Sequence, residues 1–181
     1  MRRWTGMLLT GCLLLLLTGC CGTVRKPVDP PFVPTLEQLF AISDYVVTVE
    51  AVKTLPSRFR KTGAGKDAVT DVVVVVDQVI KGNLKPKEQI QVVQPGGTIR
   101  CTTYEVPGAR YLQPGSRYLL FLKRYRDGGI HFTSYMQSDY SLDMGDGWVY
   151  YGWGPDPDEQ PFSVTSLKEM ALSVPDRSQE Q

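Results

Sequence analysis

The chain has 181 residues, with 20 Lys and Arg against 19 Asp and Glu and a formal net charge of +1. That length holds one domain and is marginal for two. The near-neutral balance removes the electrostatic case for nucleic acid as a partner. One histidine and four cysteines leave little from which to assemble a metal centre or a histidine-based triad.

The chain opens as an export leader. Arg2 and Arg3 form a basic start, and Met7 to Leu17 is apolar apart from Thr10, Gly11 and Cys12. That run is too short for a membrane span, which needs about 20 apolar residues, and it fits a secretory h-region. Leu17-Thr18-Gly19-Cys20 then resembles a bacterial lipobox, which implies cleavage before Cys20 and acylation of that cysteine. Leu9-Thr10-Gly11-Cys12 is box-like too, but precedes the leucine run. The expected division is a signal peptide over 1–19, a lipidated N-terminus and proline-rich tether over 20–34, a folded domain over 35–175 and a frayed tail over 176–181. Removing Arg2 and Arg3 with the leader leaves 18 basic residues against 19 acidic. Several acyl chains, at about 0.8 kcal/mol per buried CH₂, make a stable anchor. The expected address is the outer face of the cell membrane, or the outer membrane where the host has two. Cys21 and Cys101 remain as either one bridge or two free thiols.

Thr35-Leu36-Glu37-Gln38 has the spacing of a capping box, with Thr35 as N-cap, and Leu36, Leu39 and Phe40 give a short helix one apolar face. Tyr45 to Leu55 reads as a strand with Val47, Val49 and Ala51 on one side. Pro56 to Ala68 reads as a loop carrying Arg58, Arg60, Lys61 and Lys66. This loop is either a solvated connection or a contact surface for anionic lipid headgroups or wall polymer. Thr70 to Gly82 holds five consecutive valines and is the strongest strand in the chain. Val72, Val74, Val76 and Ile80 share one face and Val73 and Val75 the other, so both faces need cover.

Further strands are expected over Lys87–Val93, Thr98–Val106, Arg117–Tyr125, Ile130–Gln137, Ser138–Asp143 and Trp148–Trp153, separated by Gly and Pro turns. Arg117–Tyr125 is apolar on both sides and therefore central. Leu167, Met170, Ala171 and Val174 mark a terminal helix with Ser166-x-x-Glu169 as its capping box. That helix is the candidate cover for Val73 and Val75. The pattern is mainly β: a small closed or partly open barrel with a short N-terminal and a C-terminal helix.

Leu36–Val47, Thr70–Gly82 and Gln94–Leu122, in this order, resemble a group of uncharacterised exported bacterial proteins. Those are similar in turn to the netrin-module and metalloprotease-inhibitor-like fold, which implies an OB-like five-stranded barrel over roughly Leu36 to Val174. Inhibitors of that fold chelate zinc through a free N-terminal cysteine. A lipidated Cys20 set apart by a tether would not, so that activity is not carried over.

No reactive cluster emerges. His131 has no evident partner in its sequence neighbourhood, Gly63-Ala64-Gly65-Lys66 lacks the phosphate-loop spacing, and no cofactor or metal is implied. The aromatic run Trp148, Tyr150, Tyr151 and Trp153 packs either on the barrel and under the terminal helix or serves as a stacking platform. The leading expectation is a non-enzymatic, lipid-anchored envelope protein that binds another protein or takes part in an assembly. Its candidate ligand surface is Trp148, Tyr150, Tyr151, Trp153, Arg58, Arg60 and Lys61. A cell-wall glycan-binding module using the aromatic arm is the alternative, and a hydrolase with an acidic site stands below it.

Overall fold

Thr35 caps the first helix, as the capping-box spacing predicts. Its hydroxyl accepts the Gln38 N–H at 3.2 Å and caps α1 (Leu36–Ile42), which buries Leu39 and Phe40. The computed structural model describes residues 21–26, 35–62, 65–134, 139–142, 148–149 and 162–173. Its strands are β1 (Gly22–Arg25), β2 (Tyr45–Thr54), β3 (Arg58–Thr62), β4 (Gly65–Lys81), β5 (Gln89–Pro95), β6 (Gly97–Ile99) and β7 (Thr102–Glu105). They continue as β8 (Arg117–Arg124), β9 (Ile130–Phe132), β10 (Asp139–Ser141), β11 (Trp148–Val149) and β12 (Phe162–Ser163), before helix α2 (Val164–Ser173).

The barrel is mainly antiparallel and closed. β2 pairs with β4 and β8, β4 with β5, β5 in parallel with β9, and β9 with β8, which returns the sheet to β2. Counting these five in chain order, neighbours run first, second, third, fifth, fourth and back to first. That is an OB-type barrel. Closure removes the barrel's exposed edges except where β9 is short.

Alternation divides the side chains cleanly. Val47, Val49 and Ala51 of β2, Val72, Val74 and Val76 of β4, and Leu120 and Leu122 of β8 fill the barrel interior. Leu119 and Phe121, on the outer face of β8, are covered by Leu39 and Phe40 of α1, Tyr140 of β10 and Leu167 of α2. The strand expected to be apolar on both faces is therefore the one wrapped on both sides.

The valine strand differs from expectation in two ways. It starts at Gly65, because the basic segment forms a hairpin in which Arg58–Thr62 pairs with Gly65–Val69. Ile80 leaves the interior face: the register of β4 against β2 shifts between Thr48 and Val49 and again between Val46 and Val47, and Val79 faces the core instead. Thr48 stabilises the first bulge by accepting the Gln78 N–H at 3.1 Å. As for the expected cover of Val73 and Val75, no described side chain of α2 shares an apolar cluster with them, and Met170, Ala171 and Val174 lie outside the described side chains. Leu167 packs with Ile80, and the two valines are half-buried outside either apolar cluster. They are flanked across the sheet by Lys53, Gln91, Glu50 and Gln89, whose aliphatic stems can shield them while the polar ends reach water.

Two further segments part from expectation. Thr98–Val106 is not one strand but the hairpin β6–β7, turned at Arg100 in the left-handed region (φ 56°). α2 begins at Val164, so Ser166 lies inside its first turn and not at the N-cap.

Candidate functional site

The connection from β2 to β4 and the turn from β8 to β9 converge on one flank of the barrel. Between them, over β4 and β5, lies a shallow groove of about 360 Å³ lined by Arg58, Asp71, Ile90, Gln91, Val93, Arg124, Gly128, Gly129 and Ile130. β4 supplies Asp71 because Asp71 alternates with Val72 and Val74, which fill the interior, and so faces outward.

Asp71 is nearly buried, and Arg58 reaches it with two parallel hydrogen bonds, Nε to Oδ2 at 2.8 Å and Nη2 to Oδ1 at 3.0 Å. The bidentate geometry matches a guanidinium to a carboxylate. That bond, more than the opposing loss of hydration, holds the Arg58 guanidinium above its ordinary pKa. Arg124 forms the other rim. Its Nε donates to Tyr45 Oη at 2.9 Å, its Nη1 donates to the Gly128 carbonyl at 3.2 Å, and the guanidinium lies over the Tyr45 ring.

Beside the groove, Arg60 ties the two loops together. Its Nη1 donates to Asp127 Oδ2 at 3.2 Å and lies 2.7 Å from His131 Nε2. His131 is 2% exposed. Burial first, and Arg60 second, push its pKa below the ordinary imidazole range. It is therefore neutral at pH 7 and accepts the guanidinium proton. Asp127, which accepts the Gly129 N–H at 3.0 Å, has its pKa lowered chiefly by that bond. The imidazole is thus a structural acceptor between two loops. Its ring edge also meets Tyr125, with centroids 4.7 Å apart.

The groove floor contains an open strand edge. β9 pairs with β5 only at Val92 and Val93, so the edge of β5 at Gln89 and Gln91 runs on without a neighbouring strand among the described residues. The electrostatics suit an extended, partly acidic chain: two arginine rims, one compensated carboxylate and, between them, a strand edge with no neighbour among the described residues.

Of the residues singled out in the sequence, the structure brings Arg58 and Arg60 to this flank and places Lys61 on the hairpin arm beyond it. Trp148 lies in β11, paired with Ser163. Tyr150, Tyr151 and Trp153 lie outside the described residues, as does Cys20. Asp71, Gln91 and Arg124 went unnoticed as site residues. The outward alternation of β4 marks Asp71, but only the barrel closure brings Arg124 opposite it.

Cys21 and Cys101 form a disulfide, with Cα atoms 4.7 Å apart. β1 follows it and pairs in parallel with β7 over its whole length, so the tether expected from Gly22 begins as a strand held on the domain. Among the described residues no group of three or more His, Cys, Asp or Glu side chains could hold a metal ion, and no helix is long and apolar enough to cross a membrane. The chain matches no protein-family model, and no curated protein matches it.

Proposed function

We propose that this protein is a non-enzymatic, lipid-anchored binding module of the bacterial envelope, and that its barrel captures an extended segment of another protein by adding it as a strand at β5. The observation that carries this reading is the β5 edge, which at Gln89 and Gln91 has no neighbouring strand among the described residues and enters the groove between the Arg58 and Arg124 rims at Gln91. Main-chain bonds along such an edge provide affinity, and the flanking guanidiniums select carboxylates on the incoming chain. The leader and the Leu17–Cys20 box support export and acylation at Cys20. The strand order supports the likeness to netrin-module barrels.

A photo-crosslinking residue at Gln91, introduced in cells of the host, tests the binding face. It should yield discrete protein adducts that a probe at Asn83, beyond the far end of β4, does not give. Gln91→Pro, which removes the outward N–H at an edge position that tolerates proline, and Arg58→Glu should both abolish them. Equal adducts from both probes would remove the β5 edge as the binding face. Retention on wall polymer that is lost on Trp153→Ala would put glycan in place of protein as the ligand. Cys20→Ala should release the protein from the membrane fraction, and full retention would remove the anchor.

A further inference from the structure

We propose that the Cys21–Cys101 end of the molecule lies flat on an anionic lipid surface, in one orientation, with Arg100, Lys61 and Lys66 against the headgroups. The inference rests on acylation of Cys20 in the reading above. Cys20 is covalently joined to Cys21, a residue fixed to the domain. The fixation is thorough. Cys21 is disulfide-bonded to the β6–β7 turn, Gly22–Arg25 is paired with β7, the Lys26 N–H donates to the Glu105 carbonyl at 3.0 Å, and the Lys26 ammonium pairs with Asp67. Without the disulfide and this pairing, a leash of about 14 residues would span roughly 20 Å and let the barrel tumble. With them, the acyl chains leave from a fixed corner.

The basic residues belong to that same corner. Val69 and Pro95 are partners across β4 and β5. The β3–β4 hairpin continues β4 beyond Val69, and β6–β7 continues the chain beyond Pro95, so both hairpins project from one end of the barrel. The Phe59 and Tyr104 rings, 5.4 Å apart, hold them side by side. Lys61 and Lys66 are direct cross-strand partners, an arrangement that costs stability in water unless an anion faces it. Both are exposed, as is Arg100. Asp67 and Glu105, the nearby carboxylates, are taken by Lys26 and Arg25. None of Lys61, Lys66 and Arg100 has a carboxylate partner among the described residues. Acyl chains together with a basic patch are what stable seating on an acidic leaflet requires.

The test is lysine acetylation footprinting of the purified mature protein reconstituted in phosphatidylglycerol–phosphatidylethanolamine vesicles. Lys85 and Lys87, exposed beyond the opposite end of β4, serve as internal controls. Lys61 and Lys66 should label several-fold more slowly on these vesicles than in the Cys20→Ala protein, while Lys85 and Lys87 stay unchanged. The protection should fall in phosphatidylcholine vesicles, and in about 1 M salt, where the Debye length is near 3 Å. Cys101→Ser should abolish the difference between the two pairs while the protein still floats with the vesicles. Arg100→Glu, a change confined to an exposed turn, should reduce the protection and keep the fold. An acylated, floating protein whose four lysines label alike overturns the docking and leaves the anchor standing. A mature chain whose intact mass carries no acyl group overturns both.

Discussion

His131 illustrates how a lone histidine can be structural and still pH-sensitive. Its ring is buried against Arg60 of β3, Asp127 of the β8–β9 turn and the Tyr125 ring, and its pKa in the folded protein lies below the ordinary value. The unfolded chain therefore takes up the proton first. The contribution of this site to stability is complete above about pH 6.5 and is lost as the pH falls toward the lower folded value. Asp127, with a depressed pKa of its own, loses its contribution only further down, in the carboxylate range. The urea midpoint of the native protein should accordingly decline as the pH falls below about 6.5, and His131→Gln should flatten that decline. An unchanged slope in the variant would remove His131 as its source. In sequence, His131 stood without a partner because Arg60 is 71 residues away and meets it only when two loops converge.

At the scale of elements, the bulge in β4 decides which valines and isoleucines fill the core. Val76 and Val79 both face inward because an extra residue lies between them, and Ile80 is thereby turned toward α2. The Thr48 hydroxyl serves the displaced Gln78 amide. Thr48→Val, nearly equal in volume, leaves that amide unpaired and should cost about 1–3 kcal/mol. The check is a lower urea midpoint at unchanged slope, since the surface exposed on unfolding stays the same. Strict period-2 reading placed Ile80 inside, since a bulge carries no strong signature in composition. The hairpin in the basic segment was hidden for a related reason: its arms are charged, and charge on a strand edge looks like charge on a loop. Gly96 and Gly97 lie where β5 passes into β6. The structure adds why Gly97 has no side chain: a Cβ there would collide with the Ser57 and Thr70 hydroxyls where β6 leaves the barrel.

For the whole molecule, the decisive feature is that β8 is buried on both sides, inside by the barrel and outside by α1, α2 and β10. Phe121 is fully buried in the outer layer, so Phe121→Ala should cost about 3–5 kcal/mol. Phe59→Ala, at a ring 47% exposed, should cost far less, and comparable losses in urea unfolding would contradict the two-layer packing. What the amino-acid string by itself determined was the strand-rich class, the two helices and the central place of Arg117–Tyr125. These depend on local alternation, caps and turns, which neighbouring residues impose on one another. The tertiary structure alone decided the barrel's closure, the Cys21–Cys101 pairing and the meeting of Arg58 with Asp71 and of Arg60 with His131. Each joins residues from different parts of the chain, and nothing in a one-dimensional pattern sets distances between segments until the sheet curls and closes.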